Sequence, residues 1–242
     1  MRAKKDMGSP GRAIKPVKKV SAETQAADAL RESIVSGRLP PGARLTEIKL
    51  SEQLEVSRAT VRAALHQLAQ EGLIIQVPYT GWTVMTLTSV DAWELHTLRS
   101  SLEALAARLV AQRAAGSAEE ARAVKERLDK ALKALATACS GGRVHDMAEA
   151  DFALHKAIID LSGHGRLAEQ YRQVEQQVRI YIASSDSLVP HPEQIVAQHQ
   201  PIVDAIVRGD APAAAELSVE HNTEQGEILV AFLRDQEARA SA

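Results

Sequence analysis

The chain has 242 residues, more than one small domain needs, so two domains are expected. Its formal net charge of −2 singles out no partner, and no run of eighteen apolar residues occurs, so no membrane span is expected. A single cysteine, Cys139, excludes an internal disulfide and suits a reducing, cytoplasmic setting, where it reads as a small buried residue.

The first 20 residues, MRAKKDMGSPGRAIKPVKKV, are polar, basic and broken by Gly and Pro, which predicts a disordered tail. They lack the apolar core of a secretory signal. Ser21 to Ser36 reads as a first helix with Ala29, Leu30, Ile34 and Val35 inward. A second helix over 47–54 places Ile48, Leu50 and Leu54 at helical spacing. Ser57 then caps a third, in which Val61, Ala64, Leu65 and Leu68 form the buried stripe and Gly72 marks the stop. Arg58, Thr60 and Arg62 fall at the start of that helix, off the stripe. A helix that buries one face and presents arginines at its N-terminus is built like a major-groove recognition helix. The run IIQV, PYTG, WTVMTL predicts a two-stranded wing behind it. Any three-helix core can show such a turn. The wing and the paired arginines are what make double-stranded DNA the expected partner. Charge agrees: residues 1–87 carry 13 Lys/Arg against 8 Asp/Glu, and the remainder 16 against 23.

Beyond residue 88 no strand pattern occurs. Thr88 or Ser89 is the candidate cap for a series of six helices, about 89–115, 118–139, 143–162, 165–184, 191–208 and 211–237, divided by Gly- or Ser-rich breaks. Aromatic residues are scarce and alanine abundant, which suits a closely packed antiparallel bundle. The fold class is therefore mainly α: a basic tail at 1–20, a winged helix-turn-helix at 21–87, and a helical domain at 88–242. Within the bundle, Asp151 and His155 are four residues apart and share a helical face. His199 and His221 lie 10 and 12 residues either side of the Gly209 turn, so in an antiparallel hairpin both sit roughly 15–18 Å from it. Three such helices can hold a transition metal between them, although a lone buried histidine is more often a hydrogen-bonded structural residue.

The run LRESIVSGRLPPGARL, followed by LSEQLEVSRATVRAALHQLAQEGLI and a glycine-containing wing, resembles the winged-helix domain of GntR-family transcriptional regulators. The resemblance implies that Arg44, Arg58 and Arg62 contact DNA, with Ser57 as the helix cap, Thr60 beside the arginines and Gly81 at the wing tip. Ala63 stands where the family commonly has Glu, and His66 where it often has a basic residue, which bears on operator preference. Arg99 with Glu103, Asp151 with His155, the run HQPIVDAIVRGD from His199, and His221 resemble the ligand-binding domain of the FadR-type branch. What this implies is a metal held by Asp151, His155, His199 and His221, and Arg99 near the effector pocket. His164 stands where the branch often has Asn.

One carboxylate and three imidazoles leave coordination positions open on an octahedral ion, and zinc, nickel and manganese all accept such ligands. A small organic carboxylate is the expected effector, since the Arg99 guanidinium matches that group bidentately; the plainer role for Arg99 is an i,i+4 pair with Glu103 on the helix surface. Of the remaining histidines, His66 is placed to reach phosphate and His96 to line the effector pocket, while His145, His164 and His191 read as surface residues. The expected protein is a homodimeric repressor that binds an inverted-repeat operator under the control of that effector. A purely metal-responsive regulator and a metal-dependent enzyme are the alternatives. The enzyme lacks a second acid/base pair in the sequence.

Overall fold

A computed structural model describes residues 21–77 and 81–241; the expected basic tail (1–20) and the tip of the wing (78–80) lie outside the described residues. The order is α1 (Ala22–Val35), β1 (Arg44–Leu45), α2 (Glu47–Leu54), α3 (Arg58–Gln70), β2 (Ile74–Val77), β3 (Gly81–Val84), and then α4 (Ser89–Gly116), α5 (Ala118–Gly141), α6 (Val144–Leu161), α7 (Gly165–Asp186), α8 (Glu193–Val207) and α9 (Ala211–Ala240).

The first six elements share one buried cluster, built on Leu30, Leu45, Leu50, Val61, Leu65, Leu68 and Trp82. In α3 the expected stripe is buried in full, and Ser57 Oγ caps the helix by accepting from Thr60 N at 3.1 Å. Two inward assignments change. In α1 the buried alanines are Ala26 and Ala27, three and two residues before the expected Ala29, which is exposed. In α2, Ile48 is 54 % exposed and only Leu50 is fully buried, because an eight-residue helix presents a single row to the core. The wing also has a third strand. Arg44–Leu45 pairs antiparallel with β3, giving the order β1-β3-β2, with Leu45 opposite Trp82. Two residues are too few to carry an alternation pattern, so only the pairing reveals this strand.

The six remaining helices enclose a second cluster rich in Ala, Leu and Ile. Thr88 caps α4 in a reciprocal box with Asp91. Helices α4 and α9 run antiparallel along their lengths: Ser89 N and Oγ donate to Glu237 at one end, and Gly209 sits against Ala115 at the other. Midway, a Cβ at Gly226 would fall 2.4 Å from the His96 ring, so only glycine lets the two helices close over that histidine. Helix α7 also touches the winged helix. Ile180 packs on its core, and the Gln177 amide lies against Gly72 at the exit of α3. No helix among the described residues is long and apolar enough to cross a membrane.

Candidate functional site

Helix α6 buries Met147, Ala148, Asp151, Phe152, His155 and Ile159 along one side, so the stripe that drives its packing carries Asp151 and His155 into the bundle. His199 is on the buried side of α8 and His221 on that of α9. The structure brings all four together. Asp151 Oδ1 lies 2.9 Å from His199 Nε2 and 3.2 Å from His155 Nε2, and the two Nε2 atoms are 3.0 Å apart. One ligand atom from each of the three histidines falls within 4.8 Å of the others.

The ring tautomers follow from what the other nitrogens touch. His155 Nδ1 donates to Glu103 Oε2 at 2.9 Å, and His199 Nδ1 to the Ile195 carbonyl at 2.6 Å. In the form that ligates, each ring carries its proton on Nδ1 and presents Nε2 toward Asp151, whose Oδ1 has close neighbours but no aligned hydrogen bond. His221 Nδ1 is likewise buried without a partner. Two donor atoms at about 2.1 Å from a common ion are about 3.0 Å apart at a right angle and about 3.4 Å apart in a tetrahedron. The observed 2.9–3.2 Å lies within reach of either arrangement. The residues present therefore suit a transition metal held by imidazole and carboxylate donors.

Around this cluster lies a buried polar ring. Glu103, on the apolar stripe of α4, accepts from Arg99 Nε (2.7 Å), Tyr171 Oη (2.9 Å) and Asn222 Nδ2 (3.0 Å) as well as from His155. The Arg99–Glu103 pair thus exists, but in the interior and not on the helix surface: both side chains are 3 % exposed. Arg99 Nη2 is left buried without a partner, and its guanidinium carbon lies 5.6 Å from the Tyr181 ring centre. Burial opposes the charge on Glu103, yet Arg99 and His155 hold its carboxyl well below the usual range. Burial and the neighbouring Asp151 carboxylate push Asp186 up to about 9. For His155, burial and Arg99 work against a second proton, but Glu103 and Asp151 outweigh them and raise its pKa. Burial and the surrounding cations keep His221 neutral, the form that ligates.

On the winged helix, Arg58 and Arg62 project from α3 with side chains more than half exposed. Glu47 of α2 accepts from Arg62 Nε and Nη2 at 2.7 Å each and lies 3.7 Å from Arg58 Nη2. The Thr60 hydroxyl is 2.9 Å from that of Ser57, within the cap. Arg44 is exposed on β1, opposite Thr83, and no contact among the described residues ties it to the recognition-helix pair. Gly81 opens β3 at φ +102, and a Cβ there would crowd the Leu45 carbonyl at 3.3 Å, so the position demands glycine for the strand geometry itself.

The FCD domain profile matches residues 94–224, more than half of the chain, and the profile of bacterial regulatory proteins of the gntR family matches residues 22–84. The chain belongs to the GntR family. This GntR regulator is a DNA-binding transcriptional regulator of the FCD-containing, FadR-type branch; its family and relatives are named as regulators and not as enzymes. It is 31 % identical over 197 residues to an HTH-type transcriptional regulator of Streptomyces ambofaciens, covering 76 % of this chain and 75 % of that one. It is 29 % identical over 208 residues to a protein of Paenarthrobacter nicotinovorans named as a probable D-xylose utilization operon transcriptional repressor, covering 86 % and 88 %. A solved GntR regulator from Rhodococcus sp. RHA1 superposes with a TM-score of 0.74 at 25 % identity, over 88 % of this chain and 99 % of that one.

Several residues of the regulator's two sites escape sequence reading. Glu103 appeared only as the partner of Arg99, though a carboxylate on a stripe with Ala106, Ala107 and Val110 is itself a signal of buried chemistry. Tyr171, Tyr181, Asp186 and Asn222 carry no spacing that marks them, and Glu47 is legible only once α2 is packed on α3. Among the other histidines, His66 is exposed and meets Trp82 edge-on, and His96 is enclosed between α4 and α9. His164 accepts from Leu167 N as the cap of α7.

Proposed function

We propose that this regulator is a homodimeric repressor whose hold on an inverted-repeat operator is set by a small carboxylate bound in the bundle beside a metal held by Asp151, His155, His199 and His221. The observation that carries the reading is the unpartnered, fully buried Nη2 of Arg99 next to a set of donor atoms close enough to share one ion. Zinc, nickel or manganese would supply open coordination positions for a carboxylate there. Arg99, fixed through Nε by Glu103, offers its remaining edge to the same carboxylate. The two exposed arginines of α3 read bases in the major groove, with Arg44, Thr60 and the cap at Ser57 against the phosphates and the wing from Gly81 alongside. The name of the Paenarthrobacter relative supports repression.

Two routes join the sites. The link through Thr86 to Asp91 leads straight from β3 into α4, which bears Arg99. Helix α7 sets Tyr171 and Tyr181 in the effector centre and Gln177 and Ile180 against the winged helix. A ligand that shifts either helix changes the separation of the recognition helices in the dimer, a coupling of about 1–3 kcal/mol. The test is release of metal-loaded protein from its operator by a panel of small carboxylates, followed by fluorescence anisotropy. Arg99→Ala is expected to keep metal and operator binding and lose the response. Release by the same acid at the same concentration in wild type and Arg99→Ala would defeat the mechanism. Release by metal removal alone, with no acid effective, would favour the purely metal-responsive regulator.

A further inference from the structure

Three charged groups meet on the exposed side of α3, and base reading by Arg58 and Arg62 leaves the third without a use. Glu47, the first residue of α2, stands against both arginines. An acidic residue in the first turn of a helix has a plain role, which is to offset the positive end of the helix dipole. That role does not account for its side-chain partners. Both Glu47 oxygens go to Arg62, Oε1 accepting from Nε and Oε2 from Nη2, and Oε2 also faces Arg58 Nη2 at 3.7 Å. The Arg62 hydrogen bonds hold the Glu47 carboxyl below its ordinary range, so it stays ionised. Stability does not explain the arrangement either, since the arginines are more than half exposed and such pairs contribute little. A carboxylate beside a helix that meets phosphates also weakens binding to DNA of any sequence.

The pairing geometry supplies a use. A guanidinium has two edges that pair bidentately, Nε with Nη2 along its side and Nη1 with Nη2 at its end. Glu47 occupies the side edge of Arg62, and the end edge makes no hydrogen bond among the described residues. Guanine O6 and N7 take a bidentate arginine of that form. An arginine that nothing holds samples many rotamers and reaches phosphates as readily as a base edge. The same carboxylate also offsets the repulsion between Arg58 and Arg62, which lie four residues apart on one face. We propose that Glu47 is a positioning residue for sequence reading, fixing the plane of Arg62 so that its end edge meets a guanine. Selectivity rises through it while affinity for DNA in general falls. This rests on the major-groove reading of α3.

The test is fluorescence anisotropy of the full-length protein on two labelled duplexes, one selected by wild type from a randomised library and one of scrambled sequence. Glu47→Gln keeps the side-chain shape and removes the charge. It is expected to bind the scrambled duplex more tightly and to lower the selected-to-scrambled affinity ratio about ten-fold. Its slope of log affinity against log salt on the scrambled duplex should steepen by about 1, because a released Arg62 gains a phosphate. In an Arg62→Ala background the same change should leave the ratio alone, since the residue it acts through is gone. Glu52→Gln, which removes an exposed carboxylate from the same helix, should also leave the ratio intact. Three results overturn the inference: a ratio unchanged in Glu47→Gln, an equal fall in Glu52→Gln, or a fall that persists in the Arg62→Ala background. Each of these leaves α3 as the reading helix. An Arg62→Ala protein with the wild-type ratio removes the major-groove reading, and this inference with it.

Discussion

Glu103 is the residue on which the buried centre turns, and Glu103→Gln isolates its charge. Its two oxygens accept from Arg99 and Tyr171 on one side and from His155 and Asn222 on the other. An amide keeps one oxygen and turns an NH2 toward one of those donor pairs, so two donors lose their acceptor whichever way it lies. Arg99 cannot shed its proton and would remain as an uncompensated charge in the interior. Removing one partner of a buried pair costs about 3–5 kcal/mol, and the lost hydrogen bonds are part of that figure, not additional to it. At roughly 2–4 °C per kcal/mol for a chain of this size, Tm should fall on the order of 6–20 °C. His155 also loses the carboxylate that fixes its tautomer, which lowers metal affinity about 10–100-fold. Circular dichroism melts and titration against a chromophoric chelator measure the two effects. A variant within about 1 kcal/mol of wild-type stability, with metal affinity unchanged, would refute both the packing and the ligand-orienting roles.

Arg58→Ala and Arg62→Ala should each weaken operator binding by roughly 1–3 kcal/mol, and an unchanged gel shift in both would remove α3 as the reading helix. The double replacement His199→Ala with His221→Ala is expected to abolish metal binding, since two of the four donors go; equal metal by elemental analysis would dismiss the site. The apparent metal affinity should be level above the His155 pKa and weaken as pH falls through it, because a proton there competes with the ion for Nε2. That pKa is raised, so the weakening begins at a higher pH than for an ordinary imidazole near about 6.5. Metal affinity titrated across about pH 5–8 checks this, and an affinity unchanged over that range would contradict it.

Local pattern was enough to read the recognition helix, because one residue set (Val61, Ala64, Leu65, Leu68) drives both its formation and its burial, and Ser57 and Gly72 close its ends within the same stretch. It also placed Asp151 and His155 on one face, since four residues span about one helical turn. What pattern could not decide was anything that depends on which helices meet. Arg44–Leu45 becomes a strand only by pairing with β3. Arg99 and Glu103 have the spacing of a surface ion pair, and it is the packing of α4 among α6, α7 and α9 that buries them against His155, Tyr171 and Asn222. Tyr181 and Asp186 enter the centre for the same reason. Helical periodicity is a property of neighbours along the chain, and the chemistry of this site belongs to neighbours across it.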